Sequence, residues 1–156
     1  MNEIERILVV TKSTKQCKKA VHHGISLARH YKAELHVFHL MHDPFGLEHW
    51  QLAIPSLKSI QQEHHQMRDK AKKDLDAMVA AEQAQGLNIK VDLAEGPPEK
   101  EILQAVKEKK IDLLITIAHA EGHLEQLLFG RLNEELHRKL PCSLMFIKHE
   151  PAPVRW

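Results

Sequence analysis

Five short apolar runs alternate along this chain with longer stretches whose apolar residues recur every three or four positions, and that alternation constrains the fold more than any single motif. The first run, Ile7 to Val10, is short and β-branched, as a strand buried on both faces must be. The second is Glu34 to Met41, stopped by His42-Asp43-Pro44; the third is Asn88 to Leu93, the fourth Ile111 to Ile117 and the fifth Ser143 to Lys148. Between the first two, Cys17, Ala20, Val21, Gly24, Leu27, Ala28 and Tyr31 form the stripe of an amphipathic helix, entered through the polar turn Thr11-Lys12-Ser13-Thr14. A long helix is expected from about Ser56 to Ala84, with Leu57, Ile60, His64, Met67, Ala71, Leu75 and Met78 on one face and Gly86 as its cap. Pro98 suits the first turn of a third helix with Ile102, Leu103 and Val106 inward, and a fourth helix runs to about Leu140. Strands alternating with helices in this way imply parallel βαβ units with right-handed crossovers. The expected fold is therefore α/β: a doubly wound, five-stranded parallel sheet with helices on both faces.

Composition removes several function classes. A chain of 156 residues with 43% hydrophobic and 28% charged residues suits one domain, spanning 1–150 with a proline-bearing tail over 151–156. Aromatics make up only 4%, so the core must be aliphatic. A formal charge of +1, with Lys and Glu interspersed, gives no pull toward nucleic acid or an acidic membrane. No apolar run approaches bilayer length. Cys17 and Cys142 are too few for a disulfide framework and suit a reducing compartment, and MNEIERILVV is unlike a secretory leader, so a cytoplasmic location is expected.

Four segments resemble the universal stress protein family, in the right order from about Ile4 to Lys148. Ile7 to Thr14 stands where that family has its first strand and ILVxxDxS turn. Leu35-His36-Val37-Phe38-His39-Leu40 is similar to its LxLLHV second strand, and Glu95-Gly96-Pro97-Pro98-Glu99-Lys100-Glu101-Ile102-Leu103 to its EGxPxEEIL segment. Asp112 to Leu132 aligns without gaps to the family's DLIVMGTHGRSGLxRLLLGSV region, with Leu140-Pro141-Cys142-Ser143 in place of its PCPV turn. The resemblance implies a Rossmann-like sheet of order 3-2-1-4-5, with the ligand crevice at the carboxyl ends of the strands where the winding reverses. The run from Asp112 to His119, with Leu124-Glu125-Gln126, looks closest to halves of the E-type tandem members.

The same alignment implies a degraded nucleotide site. The family motif G-x2-G-x9-G-S/T falls on Ile117, Ala120, Gly130 and Arg131, so only Gly130 keeps its glycine. The aspartate of ATP-binding members is replaced by Lys12, which cannot accept hydrogen bonds, and Leu40 takes the backbone-contact position. Glycines there let backbone N–H groups approach phosphate, and Ile117 and Ala120 restore the side chains that block approach. A nucleotide or anion, if one binds, would meet Thr11, Lys12, Leu40, Ile117, His119, Ala120, Gly130, Arg131 and Leu132. Lys12 and Arg131 either form a new anion site or fence an abandoned pocket.

Other chemistry finds little support. His119 and His123 lie in a loop, while His64-His65 and His22-His23 are adjacent and point apart on a helix, so no metal site is expected. His39 reads as a hydrogen-bonded core residue and Cys17 as a buried one; Glu134-Glu135 read as a solvated helix exterior. No nucleophile elbow, P-loop or Cys–His signature occurs, so no catalytic residue is assigned. The expected function is a stress-associated, non-catalytic binding or regulatory protein without a cofactor, with room for an unidentified protein partner. The alternatives are an ATP or AMP sensor with an altered site, or a slow nucleotide hydrolase. A homodimer through 143–148 is expected, because an uncovered edge strand with apolar groups on both faces offers itself to a second copy.

Overall fold

The computed structural model describes residues 3–11, 14–41, 55–118, 134 and 138–148, with side chains of 14–17, 55–57, 118 and 148 excepted. The elements are β1 (Arg6–Thr11), α1 (Thr14–Tyr31), β2 (Glu34–Met41), α2 (Pro55–Ala84), β3 (Ile89–Glu95), α3 (Pro98–Glu108), β4 (Leu113–Ala118) and β5 (Ser143–Lys148). The strands form one parallel sheet in the order β3-β2-β1-β4-β5, as the sequence predicts. The third strand runs on past Leu93 because Leu40 and Met41 of β2 find partners in Ala94 and Glu95. The fourth starts at Leu113 rather than Ile111. Its predecessor Asp112 instead turns its carboxylate to the backbone N–H groups of Glu5 and Arg6, at 3.0 and 2.9 Å.

Alternation along the strands splits the core in two. Ile7, Val9, Leu35, Val37, Leu113 and Ile115 face Ala20, Val21 and Ala28 of α1 and Leu75 and Val79 of α2. Leu8, Val10, Phe38, Leu40 and Leu114 face Ile102, Ala105 and Val106 of α3. Each central strand is thus covered on both sides, which is why its sequence is continuously apolar. α1 approaches the sheet closely at Gly24, where a Cβ would press on Val9 Cγ2 and lie 3.1 Å from Leu35 Cδ1.

Two residues expected inside are outside. Met67 is 55% exposed and Tyr31 39%. A helix of 30 residues is about 45 Å long, against about 23 Å for a seven-residue strand, so the first half of α2 overruns the sheet. Its buried positions accordingly begin near His64 and continue through Ala71, Leu75 and Val79. Tyr31 is the last residue of α1, and its ring meets His30 edge-on. On α3, Leu103 is only partly buried and Ala105 takes the inward place.

Three helix ends close in the same way. The N–H of Ala33 donates to Ala28, that of Leu87 to Glu82 and that of Ile111 to Val106, each reaching five residues back around a left-handed residue. Those residues are Lys32 (φ 56), Gly86 (φ 90) and Lys110 (φ 51). The cap expected at Gly86 is therefore present, and two lysines adopt the same conformation despite their Cβ.

Candidate functional site

The carboxyl ends of β1, β2 and β4 supply the three predicted site residues that lie within the described structure. Thr11 closes β1, and its side chain turns to the α1 side, where Oγ1 lies 2.9 Å from Nδ1 of His39 on the neighbouring strand. The two residues are register partners, so the contact follows directly from parallel pairing. Both are buried, Thr11 at 3% and His39 at 4% exposure, and burial pushes the His39 pKa below its ordinary value. A neutral imidazole is the form that can accept a hydrogen bond from the threonine hydroxyl. The reading of His39 as a bonded core histidine holds.

Leu40 points to the opposite face, among Val10, Phe38, Ala94 and Ile102. Ile117 belongs to the α1-side core with Ile115 and Ile147. A side chain here fills the end of β4 from the core outward, where the family pattern has a bare glycine backbone. All three side chains are buried, Thr11 and Ile117 on the α1 side of the sheet and Leu40 on the α3 side. Lys12, His119, Ala120, Gly130, Arg131 and Leu132 lie outside the described residues, as do His123 and Glu135.

One feature at this end carries no sequence signal. Arg68, in the first half of α2, reaches Glu95 at the end of β3, with Nη1 3.1 Å from Oε1. The overrun of α2 beyond the sheet places the arginine there, and nothing in the spacing of the two residues shows it. Among the described residues no group of three or more His, Cys, Asp or Glu side chains is placed to hold a metal ion. An open depression of about 550 Å³ lies at the other end of the sheet, lined by Arg6, Arg29, Lys32 and Asn88 among others. One of its cations, Arg29, is already bound to Glu82 of α2 and to Gln85 in the turn after it.

The described strand ends, the sheet order and the two-sided core agree with a match of residues 3–148 to the model of the universal stress protein family. The chain belongs to that family. A universal stress protein of Methanocaldococcus jannaschii is 22% identical over 148 residues, covering 94% of this chain and 84% of that protein. Among solved structures, a universal stress protein from Archaeoglobus fulgidus superposes with TM-score 0.65 at 19% identity over 96% of this chain, which spans only 45% of that longer chain. A family protein from Arabidopsis thaliana, solved with AMP bound, superposes with TM-score 0.61 at 18% identity, covering 94% and 93% of the two chains. These likenesses establish a shared fold. No helix among the described residues is long and apolar enough to cross a membrane.

Proposed function

We propose that this chain is a non-catalytic, dimeric binding or regulatory member of its family in which ATP binding is weak or lost. The observation that carries this reading is the burial of Thr11, Leu40 and Ile117 at the strand ends, none more than 7% exposed. Nucleotide phosphates held by backbone N–H groups need bare backbone at such ends, and Ile117 puts a branched side chain there. Lys12, in place of the family's aspartate, removes an acceptor as well. The likeness of the segment from Asp112 to His119 to halves of the E-type tandem members supports the same reading, since those also lack the glycine motif.

The expected result is an ATP dissociation constant above roughly 1 mM, less than about 4 kcal/mol of binding. Calorimetry on unmodified protein tests it, and low-micromolar binding overturns it. The AMP in the Arabidopsis relative supports a second reading, that a nucleotide or anion is held in an altered mode by Lys12 and Arg131. Mass spectrometry of natively purified protein separates the two, because a co-purifying nucleotide favours the second.

A further inference from the structure

β2 carries another buried histidine, on the face turned away from Thr11. His36 pairs with Leu8 on one side and Lys90 on the other, and its side chain is 4% exposed. Its Nε2 lies 2.6 Å from Oε1 of Glu34, two residues back on the same strand face. Nε2 meets that carboxylate at contact distance, whereas Nδ1 has no hydrogen-bond partner. A buried ring nitrogen left unpaired is costly, by about 1–3 kcal/mol in proteins generally.

Charged groups surround it. From its own strand comes Glu34, which also accepts from Lys90 Nζ at 2.9 Å and Asn88 Nδ2 at 2.8 Å. β3 contributes Lys90 and Asp92, and Lys109 at the end of α3 reaches Asp92 at 3.0 Å. On the β1 side, Arg6 stands in register with Glu34 but is committed to Glu5 and to the Lys110 carbonyl. Two lysines and two carboxylates thus hold the outer strand and the end of α3 around one imidazole.

We propose that His36 is a proton-operated latch: uncharged, it lets the Lys109–Asp92 and Lys90–Glu34 pairs hold α3 and the edge strand β3 against β2, and its protonation loosens that corner of the sheet. A cation at His36 would sit out of water beside Lys90 and Lys109, and Glu34 neutralises it only by sharing a carboxylate that already binds Lys90. Among the described residues β3 has a sheet neighbour on one side only, so hydration of the ring proceeds by displacing β3 and the end of α3. Burial is the main cause pushing the His36 pKa below 6.5; Lys109 and Lys90 add to it, and Glu34 opposes them. The opened form therefore binds a proton that the closed form refuses. Closure is complete above about pH 6.5 and weakens as pH falls through the depressed value, by at most about tenfold per pH unit. Glu34, whose pKa is lowered chiefly by Lys90, joins only below 4.5.

The test is an NMR titration of the full chain from pH 8 to 5, following the His36 ring and the amides of Lys90, Val91, Asp92, Lys109 and Lys110. The expected His36 midpoint is below 6.5, with the five amides shifting at the same midpoint. Lys109→Met, which removes a cation, should raise that midpoint. His36→Leu should abolish the amide shifts and raise the urea midpoint at pH 7.5, because a buried ring with an unpaired nitrogen is replaced by an apolar one. A ring midpoint at or above 6.5, amides that do not follow it, or no change in Lys109→Met overturns the latch. If His36→Leu fails to fold, the native and Lys109→Met titrations decide the matter alone.

Discussion

Gly24→Ala should destabilise this protein although it places a better helix former inside α1. In an exposed helix the change would add about 1 kcal/mol. Here the new Cβ would press on Val9 Cγ2 and lie 3.1 Å from Leu35 Cδ1, two side chains with no exposed surface on adjacent strands. Val9 is stiff at χ1, and both neighbours are fixed by core on every side, so α1 must lift off the sheet. Overpacking of this kind costs about 1–3 kcal/mol, and two immovable neighbours put it at the upper end. Subtracting the helix gain leaves a net loss of about 2 kcal/mol, a Tm lower by roughly 4–8 °C for a chain of this size. Urea unfolding followed by far-UV circular dichroism measures it. The cause is isolated by Val9→Ala, which removes Cγ2: in that background Gly24→Ala should be neutral or stabilising, a coupling of about 1–3 kcal/mol. Equal stability of Gly24→Ala and native protein, or strict additivity of the pair, would refute the close-approach argument.

Lys110→Gly should stabilise by about 0.5–1 kcal/mol, because its φ of 51° strains any residue with a Cβ, and a Tm that falls instead shows that the lysine side chain contributes more than the backbone loses. For assembly, β5 exposes Met145 at 37% and Phe146 at 42% on opposite faces of an edge strand. Sedimentation should therefore show native protein near twice 18.0 kDa and Met145→Lys shifted toward monomer, and a native monomer at high micromolar concentration removes the proposed dimer.

The fold was legible because two-sided burial leaves an unmistakable record. Ile7 to Val10 is apolar on both faces, and Leu113 to Ile117 admits only the buried Thr116 among its apolar residues, so alternation with helical stripes leaves parallel pairing as the solution. Where burial ended was less legible. Met67 sits on the apolar stripe of α2 yet is exposed, because helical periodicity records a face and not how far the sheet extends beneath it. The site was legible only as a set of replacements relative to the family, and Thr11, Leu40 and Ile117 do stand at adjoining strand ends. The Thr11–His39 contact and the Lys90–Glu34 pair beside His36 depend on strand register, which brings residues 28 and 56 positions apart into contact, while the Arg68–Glu95 pair depends on how far α2 overruns the sheet; none of the three leaves a local pattern.

The carboxylate of Asp112 joins the backbone at Arg6 across 106 residues of chain, and that distance sets an order of events during synthesis. β1 is made first but occupies the middle of the sheet, between β2 and β4. Its β2 side can be satisfied within the first few dozen residues, whereas its other edge waits until Asp112 and β4 have emerged. For most of translation the nascent chain carries an open, strongly apolar strand edge at what will become its centre. Long-range pairing of this kind slows folding and leaves such an edge available to other chains. A three-stranded β1–β2–β3 assembly with α1 and α2 packed on one face is thus the natural early unit, and arrival of Asp112 marks the point at which the exposed edge is closed.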